Sequence, residues 1–215
     1  MKPLKIIFII LIIIPLYKCG QKENISTLKK TDTNLNFEKK VFDEVFLEIV
    51  DSTHKDGRVY LTFLPGMDFE KRKAKFEKDT CKLVFAITDF TWPIWKENKK
   101  EIIDHFKNSE FEYDDSKDVE KFKINLEKFP NSKYIFKYES DFPKGDKYKI
   151  WETKYDFEFA GALTFSRIQF TKNFQKGVLA VSYSCGVNCG WDYLVFIRKE
   201  NKKWIVENVK VTSMS

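Results

Sequence analysis

The run FEKKVFDEVFLEIV, at 37–50, places Phe37, Val41, Val45 and Ile49 in one line, with Phe42 and Phe46 beside it. Apolar residues every three to four positions share one face of a helix. The run therefore predicts an amphipathic helix with a wide apolar stripe, and Asn36 is placed to cap its first turn. The stretch RVYLTFL at 58–64 reads as a strand closed by Pro65-Gly66, and 68–78 as a lysine-rich helix whose charges face solvent. CKLVFAIT at 81–88 is rich in strand formers. Pro93 suits the first turn of a helix running to about Phe106, with Trp95, Ile102, Ile103 and Phe106 on its buried side. Val119, Phe122, Leu126 and Phe129 mark a further helix, stopped by Pro130.

Beyond Pro130 the pattern changes to a period of two. Strands are expected at 133–138, 148–152, 163–170, 178–184, 193–199 and 204–211, and short connections at 171–176 and 200–203 make them an antiparallel meander. Helices concentrated in the first half and an antiparallel sheet in the second give an α+β fold. A single globular domain over 37–215 is long enough to bury a core.

Upstream of that domain the character of the chain is different. Lys2 and Lys5 precede an unbroken apolar run from Ile6 to Ile14. A helix that crosses a bilayer needs about 20 apolar residues. A shorter run behind a basic start has the form of a secretory signal peptide. Leu16-Tyr17-Lys18-Cys19 resembles the lipobox of bacterial lipoproteins. The resemblance implies cleavage after residue 18, a diacylglycerol on the Cys19 sulfur and an acyl chain such as palmitate on its amine. Leu16 fits the pattern. Tyr17 and Lys18 depart from it, since the residue before the cysteine is normally Gly, Ala or Ser. Lipoproteins of the Bacteroidota have looser boxes, and the Lys, Ile, Asn and Phe usage here is compatible with that group. The stretch from GALTFSRIQF through NKKWIVENVKV is also similar to C-terminal parts of Bacteroidota lipoproteins to which no chemistry is assigned.

The implied location is the cell envelope, with the protein held on the outer membrane and facing the periplasm or the exterior. Gln21-Lys22-Glu23 looks like the charged surface-export signals of some lipoproteins in that group. Residues 19–36 then form the lipidated cysteine and a polar tether. Several acyl chains, at about 0.8 kcal/mol per buried CH2, hold a protein on a membrane where one would not. Loss of Lys2, Lys5 and Lys18 with the signal lowers the formal charge from +6 to +3. Mixed with acids along the chain, that is no nucleic-acid footprint.

Export gives the cysteines of SYSCGVNCGWDY, at 182–193, their context. Three residues separate Cys185 from Cys189, which is not the C-x-x-C of redox sites. A structural zinc site wants four ligands, and Cys81, His54 and His105 are scattered singly, so no metal or cofactor is expected. Oxidising compartments preserve disulfides. With Cys185 opposite Cys189 in a hairpin, the register sets Tyr183 against Trp191, Val181 against Tyr193 and Leu179 against Val195 on one face. Val178 then meets Phe196, Ala180 meets Leu194 and Ser182 meets Asp192 on the other. A one-residue slip would destroy this sorting. A structural Cys185–Cys189 disulfide is the favoured reading, with a redox-active pair as the alternative. Tyr183, Trp191 and Asp192 at the hairpin tip form an expected recognition patch, and Cys81 an expected buried strand thiol.

Among the remaining polar residues, Asp51, His54, Asp56 and Arg58 in DSTHKDGR read as a helix end and turn, where cations are favoured. No catalytic motif built on Ser, His or a phosphate loop occurs. The expectation is a membrane-anchored envelope lipoprotein that binds or supports an envelope protein, a peptide or a glycan, and is not an enzyme. Two alternatives stand beside it: an envelope thiol–disulfide or other enzyme using Cys185 and Cys189, and an immunity- or inhibitor-type partner protein.

Metabolic labelling with a palmitate analogue tests the anchor. Label is expected on the wild type and lost in Cys19→Ala; an unlabelled wild type rules out processing at Lys18-Cys19.

Overall fold

The computed structural model describes residues 24–56, 58, 68–77, 81–107, 111–114, 120–130, 133–146 and 148–215. The expected signal peptide, Cys19 and residues 59–64 of the strand expected at 58–64 lie outside the described residues. The chain divides into two compact units, Met1–Asn36 and Phe37–Ser215. Helix α1 spans Asn24–Thr53, longer at both ends than 37–50, and Asn36 is an interior residue instead of a cap. No glycine or proline occurs between 24 and 53 to stop it. Among the described residues no helix is long and apolar enough to cross a membrane.

The second unit is built on a seven-stranded mixed sheet. Its strands are β1 (Leu83–Ile87), β2 (Tyr134–Tyr138), β3 (Phe159–Phe165), β4 (Gln169–Phe170), β5 (Lys176–Gly186), β6 (Cys189–Glu200) and β7 (Lys203–Met214). Their order is β2-β1-β3-β5-β6-β7, with β4 beside β5. The fold is α+β, and β5, β6 and β7 form the C-terminal meander. The expected all-antiparallel sheet is corrected at one edge, where β1 pairs parallel with both β2 and β3. The reason lies in LVFAI, five consecutive buried residues. A strand covered on both faces has no polar alternation, as parallel strands characteristically lack it.

Helices α2 (Phe69–Glu77), α3 (Lys99–Phe106) and α4 (Lys149–Glu152) complete the framework. Three expectations are corrected here. In place of the strand expected at 148–152, Lys149–Glu152 form the helical turn α4, entered from a turn in which Tyr148 N–H donates to Asp146 Oδ1 at 3.0 Å. In place of a helix at 119–129, Phe122 and Ile124 point inward with period two. Lys123 bridges Phe90 antiparallel, and only Leu126–Lys128 makes a 3-10 turn. After Pro93 the chain stays extended to Trp95, and a 3-10 turn at Lys96–Asn98 leads into α3. Ile102 and Phe106 are buried as expected, whereas Trp95 and Ile103 are exposed.

One face of the sheet carries α1. Phe42 and Phe46 pack on Phe165, with ring centroids 5.4 Å away in each case, and Phe46 also meets Phe136 at 5.0 Å. The opposite face is covered at two places. Ile94, Ile102 and Phe106 pack on Val178, Ala180, Leu194 and Phe196. Phe142 packs on Val84 and Ala86. The buried stripe of α1 continues through Val41, Val45, Ile49 and Val50, and it also includes the charged Glu38.

Gly161 marks where β3 shifts register against β1, its partner being Phe85 while Phe159 faces Val84. Its φ is +142°, and a Cβ there would lie 2.4 Å from the Ser184 carbonyl oxygen and 2.6 Å from a Tyr183 ring carbon. Gly161→Ala is expected to cost on the order of 3 kcal/mol through strain and overpacking. Urea unfolding followed by circular dichroism measures this, with Gly190→Ala as the milder comparison; an unshifted midpoint for Gly161→Ala contradicts the packing.

Candidate functional site

The β5–β6 register is the one read from alternation. Tyr183 pairs with Trp191, Val181 with Tyr193, Leu179 with Val195, Val178 with Phe196, Ala180 with Leu194, and Ser182 with Asp192. At the tip the pairing departs from the expected one. Ser184 faces Gly190 and Gly186 faces Cys189, which leaves Cys185 as the extra residue of a bulge. Cys185 and Cys189 lie at disulfide distance, with Cα atoms 5.1 Å apart.

Tyr183 is not part of an exposed patch. It is 0% exposed, and its hydroxyl donates toward the carbonyl oxygens of Lys55 at 2.9 Å and Ala160 at 2.7 Å. Burial, with Asp56 and Tyr193 nearby, raises its pKa well above the phenol range. Trp191 stacks on Tyr183 at 6.0 Å, on the face that carries α1. Asp192 is on the other face, because successive residues of a strand alternate. Tyr183 and Trp191 therefore share one face, and Asp192 stands apart from them on the other. Cys81 is likewise corrected, being exposed just ahead of β1.

The residues of DSTHKDGR turn to different partners. Asp51 accepts from the Tyr134 hydroxyl at 2.7 Å and pairs with Lys133 at 2.8 Å, while Asp56 pairs with Arg58 at 2.7 Å. His54 Nδ1 is 3.0 Å from the Val50 carbonyl oxygen, and burial lowers the imidazole pKa. These contacts close the end of α1.

The cavity that stands out lies elsewhere. It is a cleft of about 720 Å³ on the sheet face opposite α1, bordered by Thr88, Trp92, Trp95, Glu139, Thr164 and Ser182. Its position follows from the topology. Strands β1, β2 and β3 run parallel, so their carboxyl ends at Ile87, Tyr138 and Phe165 share one edge. The chain leaves β1 for β2 on one side and then crosses to β3 on the other. Such a divergence opens a crevice above the central strand's carboxyl end, where open sheets place ligands.

One wall is sewn to β3. Trp92 N–H donates to the Phe165 carbonyl at 2.9 Å, and the Trp92 carbonyl accepts from Arg167 N–H at 2.8 Å. Arg167 is fixed in turn by Glu38. Its Nε and Nη2 each lie 2.8 Å from a different carboxylate oxygen, Ile168 N–H donates to Oε1 at 2.7 Å, and Arg167 Nη1 donates to the Glu120 carbonyl. The indoles themselves remain accessible, Trp92 48% and Trp95 45% exposed, and the Lys121 ammonium sits 3.9 Å from the Trp92 ring centroid. The far wall is held by Asp89. Its carboxylate accepts from Ser140 N–H at 3.2 Å and from the Ser140 hydroxyl at 2.7 Å, which places Glu139 at the cleft. Burial, reinforced by the Asp89 carboxylate, holds the Glu139 pKa above the usual carboxyl range.

The floor is a row of polar side chains. Thr164 pairs with Ser182, Ser182 with Asp192 and Asp192 with Ser213, so the row crosses β3, β5, β6 and β7 on one face. Thr88 continues it from the end of β1, its N–H donating to the Leu163 carbonyl at 3.1 Å. Thr88 Oγ1 is buried and has no hydrogen-bond partner. The volume is within the range of small-molecule sites, about 300–1,000 Å³. Indoles supply flat apolar faces and hydroxyls both donate and accept, which is the equipment of recognition. No histidine or cysteine among the described residues lines the cleft.

Sequence reading places Asp192 in a recognition patch with Tyr183 and Trp191; it lies on the opposite face from them, beside the cleft residue Ser182. Sequence reading also places Trp95 on the buried side of a helix, whereas Trp92 and Trp95 both stand exposed. Their signal was W-P-I-W, since a residue before proline is held extended. No protein-family model matches the sequence, and neither a curated protein nor a solved structure is significantly similar to it.

Cys189→Ser removes a five-residue loop closure worth about 2 kcal/mol. A drop in melting temperature of about 4–8 °C is expected for a chain of this size. A reduction potential below about −300 mV is expected for a structural bond. A potential in the range of dithiol oxidoreductases, with no loss of melting temperature, favours redox chemistry instead.

Proposed function

We propose that this chain is a lipoprotein of the cell envelope, held on the outer membrane through Cys19, whose folded unit binds a ligand without transforming it. The anchor is supported by the basic start, the short apolar run from Ile6 to Ile14 and the Leu16–Cys19 box. The observation that carries the binding reading is the cleft at the carboxyl ends of β1, β2 and β3, with two half-exposed indoles over a hydroxyl floor. Binding residues concentrate on segments positioned by a rigid scaffold, and here the scaffold is the sheet, with Asp89 and Arg167 pinning the two walls. Cys185 and Cys189 take no part in this lining and serve to close the hairpin tip.

The test is photo-crosslinking in intact cells that produce the lipidated protein. A photoreactive phenylalanine analogue replaces Trp95 in one variant and the exposed Val187 at the hairpin turn in another. A discrete adduct at position 95 and none at position 187 is the expected result. Equal yields at both positions, or none at either, reject the cleft as the working surface.

A further inference from the structure

We propose that the cleft takes an uncharged pyranose unit of a saccharide, set against the indoles of Trp92 and Trp95 and hydrogen-bonded to the hydroxyl row that begins at Thr88. This rests on the reading of the cleft as a binding site. Three observations select the ligand class.

The first is the combination of surfaces. A pyranose carries apolar C–H faces and a rim of hydroxyls, so it needs flat apolar groups on one side and donor–acceptor groups at its edge. The cleft offers indoles from the 92–95 segment and, across the floor, Thr164 and Ser182 side by side on adjacent strands. Directly opposed residues on neighbouring strands stand about 4.5–5.5 Å apart, close enough to address two hydroxyls of one ring. An acyl chain would satisfy the indoles, Ile94 and Ala180, and leave the Thr164 and Ser182 hydroxyls facing hydrocarbon.

The second is charge. The charged groups at the cleft are Lys96, Glu97 and Glu139 in its lining and the Lys121 ammonium on the Trp92 ring, so cations do not outnumber carboxyl groups and there is no cationic excess to meet a phosphate or a carboxylate. Arg167, the guanidinium nearest the wall, has its fork closed by Glu38. Glu139 lines the cleft, its pKa raised by desolvation and by the Asp89 carboxylate, and its carboxyl group can hydrogen-bond a neutral hydroxyl. An anionic ligand is disfavoured at this site.

The third is Thr88. Its buried Oγ1 lacks a partner. Its hydroxyl is not taken up by any other group among the described residues, so a water or a ligand hydroxyl that pairs with it displaces no existing hydrogen bond. Beyond Ser182 the polar row continues through Asp192 to Ser213, which gives a second sugar unit somewhere to lie.

The experiment is saturation-transfer NMR with a parallel titration of tryptophan emission, using the full lipidated chain in detergent. The probes are neutral disaccharides of hexoses and of N-acetylhexosamines, the same sugars carrying a phosphate, and decanoate. At least one neutral disaccharide is expected to bind, more tightly than its monosaccharide and its phosphorylated form. Trp95→Ala is expected to weaken it about tenfold, and Thr88→Val and Thr164→Val about fivefold each. Thr88→Val should do so with its ligand-free melting temperature unchanged or raised, a combination that a merely structural role would not produce. If decanoate or the phosphorylated sugars bind in a Trp95-dependent way and no neutral sugar does, the saccharide assignment is overturned while the cleft remains a binding site. If no probe binds in a Trp95-dependent way, the saccharide assignment is overturned as well, and crosslinking at position 95 then decides separately whether the binding reading survives.

Discussion

Glu38 and Arg167 place a carboxylate and a guanidinium where water does not reach, at 1% and 5% side-chain exposure. Two such charges are tolerable in a core only as a closed set, because each unpaired ion costs several kcal/mol of lost hydration. The set here is closed: both carboxylate oxygens face the guanidinium, one also accepts from Ile168 N–H, and the guanidinium reaches the Glu120 carbonyl. Pairs of this kind add little net stability compared with apolar residues of similar volume. What this one does is positional. It fixes α1, where Glu38 sits, to the corner that follows β3, and that corner holds Trp92 through two backbone hydrogen bonds. The wall of the cleft therefore depends on a charge pair buried in the core.

The rest of the sheet explains why the cleft is open. On the α1 side, the Phe42 and Phe46 rings pack against Phe165, with centroids 5.4 Å apart in each case. On the other side the cover comes as two separate apolar clusters, one around Ile102 and Phe106 and one around Phe142. The strand positions between them carry hydroxyls, as Thr164 and Ser182 show. Apolar side chains there would have demanded a lid of their own. Hydroxyls tolerate water until a ligand replaces it, so a polar floor suits a cleft that stands open, among the described residues, between the two clusters.

Much of this was legible in the residues, and unevenly so. The α1 stripe could be read because apolar residues recur at 3.6-residue spacing, and Glu38 belongs to it by position, three and four residues before Val41 and Phe42. The β5–β6 register could be read because both faces of the hairpin alternate cleanly, and it departs only at the Cys185 bulge, which alternation does not encode. Strand order was hidden. Periodicity says that LVFAI is a buried strand but not that 134–138 and 159–165 return parallel on either side of it. Pro93 misled, since proline suits both a helix start and an extended segment, and it sets Trp95 on the buried side of a helix that does not form there. The cleft combines β1, β3, β5 and the 92–97 segment, a juxtaposition that no local pattern contains.

The claim that the Glu38–Arg167 pair sets the cleft wall is tested most directly by amide hydrogen exchange on the wild type and Glu38→Gln, at a temperature where both are folded. Trp92 and Arg167 donate the two backbone bonds that hold the wall. Their amides are expected to lose protection preferentially in the variant, while amides in the centre of β5 and β6 keep theirs. A uniform loss across the sheet, or unchanged exchange at Trp92 and Arg167, would contradict it.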